Sequence, residues 1–521
     1  MISAVDEDYV LEDKSYDERI FKAISILKND KTLFEHYENG HVIVDEVQDL
    51  VGARAEMVIE LLKILPKTCG FTLLGDSCQA LYDYLAVNDS GIMSSEKFYA
   101  TLFATFPKAN YYSLTENHRQ TNNLESLTTL YREKILTGIE YERRSELNNV
   151  KSKILSIDVN FKELSQNDIE AFLKQGTLGI LTRTNGQALQ ISSWLRKNDI
   201  SHTLQRSARN SNFASWIAKI FYDYENLTID EKSFIKRHLQ IYPDIDKEIA
   251  SNRWNAIVSS MNEIKKHYDV EKILRSIANN ARDAILFENG DRRENLVTVS
   301  NIHRAKGKEF DSVILTDDVI DVKDEDILEH KVCYVGLTRA KKMIKSANIG
   351  KQYIYIIPNE NRRCFKSVKF KKIFLHQFEV GIYGDIDLYS LGINTEVQHF
   401  IANDLKSDTS VKLIKCPENT RKYVTYKVVV EEPRYIILGY TDKIFAIEIE
   451  RALKKIFNLP PHLDVFFSHY PNEFFDIYID EIITCISSAN IDVPAAKVFG
   501  NMKIWYGFSI TGFAKIQNNR Y

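Results

Sequence analysis

Short, unbroken apolar runs that end on carboxylates or polar turns recur along this chain and set its first predicted elements. His41–Val44 reads HVIV and runs straight into Asp45-Glu46. A continuous run of this kind reads as a strand buried in a parallel sheet. Phe71–Leu74 repeats the pattern and ends in Gly75-Asp76, and Leu178–Thr182 repeats it before Arg183-Thr184-Asn185. Between the first two strands, Ala53–Leu65 has helical spacing and Pro66 closes it. Ala188, Ile191, Trp194 and Leu195 predict a helix after the third strand, and 124–136 predicts another before it. Ile20, Ala23, Ile24, Ile26 and Leu27 form a rough helical stripe near the start, and 297–316 reads as strand, loop, strand. Strands alternating with helices predict an α/β fold.

The pattern changes twice. Residues 206–293 read as charge-rich helices, with Trp216 and Trp254 as core positions. After the basic run RRCFKSVKFKK, the segments YVTYKVVV, YIILGYT and IFAIEI predict a β-rich region ending in WYGFSITGF. This region reads as a separate α+β or barrel-like domain.

Composition narrows the options. A chain of 521 residues is too long for one hydrophobic core, so two to four domains are expected. Lys+Arg number 68 against Asp+Glu 72, a net charge of −4, so any nucleic-acid site must be a local basic groove. Cys69, Cys78, Cys333, Cys364, Cys416 and Cys485 are scattered, without the spacing of a zinc site or a disulfide framework. That fits a reducing cytoplasm. No apolar run is long enough to span a bilayer, so no membrane partner is expected.

The chemistry begins at Asp45-Glu46. Carboxylates at the C-terminal end of a parallel strand sit where open α/β sheets bind ligands. One can hold Mg²⁺ through water, and its neighbour can orient or deprotonate an attacking water. A bare DE pair is equally compatible with a solvated acidic turn. DEVQD after an apolar strand resembles the Walker B motif of superfamily 1 helicases of the UvrD/Rep type, and sister motifs follow in order. GDSCQALYDY (75–84) resembles motif III, which implies that Gln79 senses a γ-phosphate and that Tyr84 stacks on a base. YYSLTENHRQ (111–120) resembles motif IV, which implies a γ-phosphate contact for Arg119, with His118 where the family has an adenine-stacking tyrosine. Arg183 and Asn185 match a family segment that faces single-stranded DNA. HRAKGKEF (303–310) resembles motif V. There His303 would contact the DNA backbone, Gly307 would allow close approach, and Glu309 would bind the ribose. Asn301 stands where the family has a DNA-contacting threonine. VCYVGLTRAKK (332–342) resembles motif VI, with Arg339 as the arginine finger.

The resemblance implies two RecA-like domains, the first incomplete, with ATP and Mg²⁺ as cofactors and single-stranded DNA or DNA junctions as partners. The implied catalytic set is Asp45, Glu46, Gln79, Arg119 and Arg339. Asp45 also serves the metal, while His118, Gly307 and Glu309 bind nucleotide. The DNA set is Tyr84, Arg183, Asn185, Asn301 and His303. The division that follows is an incomplete first domain over 1–125 and a second over 126–205 and 294–358. A reduced helical insertion fills 206–293, and an appended domain of unknown role fills 359–521. One family element is absent from the sequence. The two Gly-Lys pairs, Gly307-Lys308 and Gly350-Lys351, lack the following Ser or Thr, so no GxxxxGK[ST] phosphate loop is present. The expectation is the C-terminal portion of an ATP-dependent helicase, inactive as an ATPase by itself. Its Walker A part would lie on another chain, or be lost by a frameshift or truncated start. The alternatives are a non-hydrolysing DNA- or partner-binding subunit, and a scaffold whose C-terminal domain carries the function.

Overall fold

The computed structural model describes residues 16–29, 38–83, 92–154, 156–160, 166–205, 212–261, 264–281, 283–287, 296–322, 326–349, 354–357, 363–370, 372–391, 394–417, 423–487 and 504–517. The chain condenses into two compact units, Met1–Thr184 with Leu296–Gly350, and Asn185–Asn295 with Lys351–Tyr521.

The first unit holds two parallel β layers. In the smaller, β1 (His41–Val44) pairs with β2 (Gly70–Leu73), His41 opposite Gly70 and Val44 opposite Leu73. Helix α1 (Tyr16–Asn29) packs on α2 (Ala53–Ile64) through Ile20, Ile24, Ala53 and Met57. Ala55, Val58, Ile59 and Leu62 of α2 meet Phe98 and Leu102 of α3 (Ser95–Thr105), closing a small core with Val47. The larger layer contains β3 (Ser156–Asn160), β4 (Leu178–Thr182), β5 (Val297–Asn301), β6 (Phe310–Thr316) and β7 (Ala340–Asn348). Their order is β3-β7-β6-β4-β5, with every neighbouring pair parallel. The five residues of β4 are all buried, as a strand with neighbours on both edges requires. Helices α4 (Asn122–Thr137), α5 (Glu140–Lys153) and α6 (Ile327–Leu337) share its core, where Leu127, Tyr131 and Ile135 meet Val332 and Val335.

The second unit is built on an antiparallel sheet. Its strands are β8 (Ile354–Ile356), β9 (Cys364–Phe370), β10 (Lys372–Val380), β11 (Ser410–Lys415), β12 (Tyr426–Val430), β13 (Ile436–Tyr440), β14 (Glu473–Ile486) and β15 (Ile504–Gln517). They run β8-β9-β10-β15-β14-β11-β12-β13. Helices Ser215–Phe221, Glu231–Ile241, Lys247–Ser259 and Val270–Asn280 belong to this unit. The pair Phe213–Ala214 adds to β14, and Thr484 Oγ1 donates to the Ala214 carbonyl at 2.6 Å while accepting from the Ala218 N–H at 2.9 Å. Trp216 and Trp254 are buried as expected, in one core with Phe378, Phe474 and Trp505 of the sheet. The helical segment and the C-terminal sheet therefore share a core, which two separate domains would not.

One element differs in kind. IFAIEI, expected as a strand, lies inside helix α7 (Lys443–Phe457). Its buried positions Phe445, Ala446, Glu448, Ile449, Ala452 and Leu453 follow the helical period, and Asp442 caps its N-terminus. No helix among the described residues is long and apolar enough to cross a membrane.

Candidate functional site

β1 delivers its carboxylates to a sharp turn. Glu46 adopts a left-handed conformation, φ 54° and ψ 39°, before the single turn Val47–Asp49. Asp45 is exposed and accepts the Glu46 N–H at 2.9 Å. Gln48 is buried beneath the turn. Its amide donates to Glu46 Oε2, and its Oε1 accepts the Asp76 N–H at 3.1 Å. The buried glutamine therefore ties the end of β1 to the end of β2. Asp76 then caps the turn Ser77–Gln79 by accepting from the Cys78 N–H, and it also accepts from Gln79 Nε2 at 3.1 Å.

The loops of the larger layer reach this region within the same unit. Lys306, in the turn after β5, is nearly buried. Its ammonium pairs with Asp49, lies 3.3 Å from Glu46 Oε2 and donates to the Gln79 carbonyl at 3.1 Å. Arg339, between α6 and β7, is 2% exposed. Its guanidinium donates to the Val335 carbonyl at 3.0 Å, the Lys308 carbonyl at 3.3 Å, Thr338 Oγ1 at 2.9 Å and Gln79 Oε1 at 3.4 Å. Arg119 pairs with Glu309 at 2.5 Å, and Lys341 reaches the other oxygen of Glu309 at 3.2 Å. The Arg119 loop is fixed by Gln120, whose buried amide donates to the carbonyls of Leu337 and Ala340 at 3.2 and 3.0 Å.

The electrostatics follow from this crowding. Burial, then the like charge of Arg119, lowers Arg339 to about 10, so it stays cationic at neutral pH. Glu309 feels burial pushing it up, but Arg119, Lys341 and Arg339 together hold it below the usual carboxylate range. Burial raises Asp49 against the opposing pull of Lys306. Among the described residues, no group of three or more His, Cys, Asp or Glu side chains could hold a metal alone. Two adjacent carboxylates, Asp45 exposed and Glu46 3.3 Å from the Lys306 ammonium, suit a hard ion that completes its shell with water and phosphate oxygens. The donor set thus fits a magnesium–phosphate ligand.

His118 and Gly307 adjoin the cluster, next to Arg119 and Lys306 in the chain. His118 is exposed, its ring 3.3 Å from Glu116. Gly307 takes φ +80° and faces open space, where a side chain would be strained but not crowded. Arg183 is held by Glu329, Nε to Oε2 at 2.7 Å with a second bond beside it. Asn301 caps the turn Ile302–Ala305 by accepting from the Arg304 N–H at 2.9 Å, and His303 in that turn is half-buried. Asn185 begins the helix Asn185–Lys197 in the second unit, and Tyr84 lies outside the described residues. Sequence reasoning missed Lys306, Asp49, Asp76 and Arg132. The first three sit inside the quoted motifs and could have been read there. Arg132 clamps Asp76 at 3.1 Å from a helix with no motif to mark it.

Comparison with known proteins agrees with this geometry at two stretches. Residues 8–100 match the UvrD/REP helicase N-terminal domain, and residues 296–344 match the UvrD-like helicase C-terminal domain. No curated protein matches the chain. The first stretch contains the Asp45-Glu46 turn and Gln79. The second contains Lys306, Glu309 and Arg339. The two matched segments thus supply the two sides of one cluster of charges, and over these stretches the chain is similar to UvrD/Rep-type helicases, which supports that family.

Proposed function

We propose that the first unit is the phosphate-sensing part of an ATP-dependent DNA helicase, and that it depends on a phosphate loop from outside these 521 residues. The observation that supports this reading is the convergence of Gln79, Arg339 and Lys306 on the Glu46 turn, with Arg119 and Glu309 beside them. Asp45 and Glu46 would face a magnesium ion. Arg119 and Arg339 would meet the transferring phosphoryl group, whose developing charge fixed guanidinium groups stabilise. ATP with magnesium would supply the free energy for movement along DNA. Single-stranded DNA or a junction would contact the first unit at His303, Asn301 and Arg183. Lys306 pairs with Asp49 and lies 3.3 Å from Glu46 Oε2, so a cation of the chain itself already sits against the carboxylate turn. This observation favours a second reading, a non-hydrolysing DNA-binding subunit of the same family.

The test is turnover. The purified chain should show no DNA-stimulated ATPase activity. Adding a polypeptide that carries GxxxxGK[ST] should give magnesium-dependent hydrolysis, lost in Arg339→Ala and not restored by Arg339→Lys, because lysine lacks the planar fork. Turnover by the chain alone near about 1 s⁻¹, abolished by Glu46→Gln, would refute the dependence on an outside phosphate loop. Silence with every phosphate-loop polypeptide, together with intact DNA binding, would select the subunit reading.

A further inference from the structure

The second unit displays aromatic rings on a loop tied down by hydrogen bonds from two lysines. After α7, Asn458 takes a left-handed cap with its N–H on the Lys454 carbonyl, and Pro460-Pro461 follow. Lys454 Nζ donates to the Pro461 carbonyl at 2.9 Å, and the Leu463 N–H to the Pro460 carbonyl at 3.1 Å. Lys415, on β11, donates to the carbonyls of Phe467 and Tyr470 at 3.3 and 2.9 Å. Val465 and Tyr470 are buried anchors. Yet Phe466 between them is 75% exposed.

The rings form a ladder interleaved with cations. Phe457 lies 5.1 Å from the His469 ring, and His469 lies 5.7 Å from Phe466, whose outer face is open. The Lys415 ammonium stands 4.5 Å from the Phe467 ring centre. Lys455, in the last turn of α7, stands 5.6 Å from the half-exposed ring of Tyr355. Nearby acids are fewer: Glu450 is paired with Lys454, and Asp464 lies on the loop. Both ammonium groups are fixed among the rings by backbone carbonyls, Lys415 by Phe467 and Tyr470 and Lys455 by Ile356 at 3.3 Å. A polymer of flat bases and regularly spaced phosphates uses both, stacking on the rings and neutralising charge on the lysines.

We propose that this loop, with the end of α7 and Lys415, is a binding surface for single-stranded nucleic acid, separate from the motif-bearing unit. The full chain would be titrated into a fluorescein-labelled oligodeoxythymidylate at fixed salt and followed by anisotropy. Phe466→Ala, whose exposed ring makes misfolding no concern, should weaken binding about tenfold, the loss of one stacked base. Lys455→Ala should flatten the salt dependence by about one ion. Affinity within twofold of the parent in both variants would overturn the proposal. So would a change in sedimentation coefficient of Phe466→Ala at unchanged oligonucleotide affinity, since the ring would then serve protein association. His303→Ala, measured in parallel, reads the first unit's contribution, so failure of one surface is distinguishable from failure of the other.

Discussion

The two units treat their charges in opposite ways. In the first, Arg119 and Glu309 pair on loops with side chains 38% and 33% exposed, and Arg339, though buried, points its fork at neighbouring loops. In the second, Arg363 binds Asp385 and Glu448 at exposures of 0%, 1% and 2%, beneath the rings of Phe378 and Phe445. Asp385 also accepts the N–H groups of Gly381 and Ile382 at 2.7 and 3.0 Å, so its lone pairs are used. A desolvated, fully bonded network has no valence left for a ligand and acts as a structural joint. A part-exposed network can exchange its partners. The acids of α7 have structural partners as well, Glu448 with Arg363 and Glu450 with Lys454, while Asp442 caps the helix.

The largest expected effect tests this contrast directly. Arg363→Met strands two carboxylates in the core and should cost the second unit about 3–5 kcal/mol. Arg119→Met removes a solvent-screened pair and should cost about 0–1 kcal/mol. The chain's four tryptophans, Trp194, Trp216, Trp254 and Trp505, all belong to the second unit, so urea unfolding followed by their fluorescence reports that unit alone. The midpoint should fall sharply for Arg363→Met and stay fixed for Arg119→Met. Equal midpoints would mean that the buried network is no joint.

The same contrast explains what could be read from sequence. Loop residues after apolar strands were legible because the strand pattern is local and the motif chemistry is contiguous: Glu46, Gln79, Glu309 and Arg339 each follow or precede a recognisable run. Helix α7 was not legible. Its apolar residues Phe445, Ile447 and Ile449 alternate like a strand, while the helical face requires Glu448 to be buried. Hydropathy cannot signal a buried glutamate whose partner, Arg363, lies 85 positions away. The shared core of the second unit was hidden for the same reason, since Ala214 and Ile483 pair across a long separation. Nor does a pattern reveal Lys306 resting on Asp49, because each looks like an ordinary polar loop residue until the layers meet.

A smaller effect separates the units by pH. Burial pushes His202 and His238 of the second unit down to about 4, against about 6.5 in an unfolded chain. His202 donates from Nδ1 to the Ile200 carbonyl at 2.9 Å and accepts from Ser192 at Nε2, 2.7 Å, which fixes the neutral form. The unfolded state therefore binds more protons between these values, and the stability both rings contribute is complete above about 6.5 and lost as pH falls toward 4. In the first unit, Lys342 and the Thr177 N–H hold Asp311 at about 2, so its contribution persists until pH falls below the usual carboxylate range. Tryptophan-monitored midpoints should drop between pH 6.5 and 4.5, while protection of β6 amides against hydrogen exchange changes less. A midpoint flat over that range would contradict the neutral buried histidines.

The smallest effect concerns two strands of one unit that look alike in sequence. β1 and β4 are both apolar runs ending at polar loops, yet all five residues of β4 are buried, whereas Ile43 of β1 is 67% exposed. Among the described residues β1 pairs with β2 alone, so one of its edges and part of its face are open to water. A side chain already in water has little burial to lose, and Ile43→Ser should change the stability of the first unit by no more than about 0.5 kcal/mol, measured by hydrogen exchange of the α2 and α3 amides. The same substitution becomes informative when the phosphate-loop polypeptide is added. If that polypeptide completes the sheet, Ile43 is buried by association, and the serine should weaken the complex while leaving the free chain untouched. A cost above about 1 kcal/mol in the free chain would mean that other residues of this chain already cover β1. The strand would then have no face to offer, and the dependence on an outside phosphate loop would give way to the subunit reading.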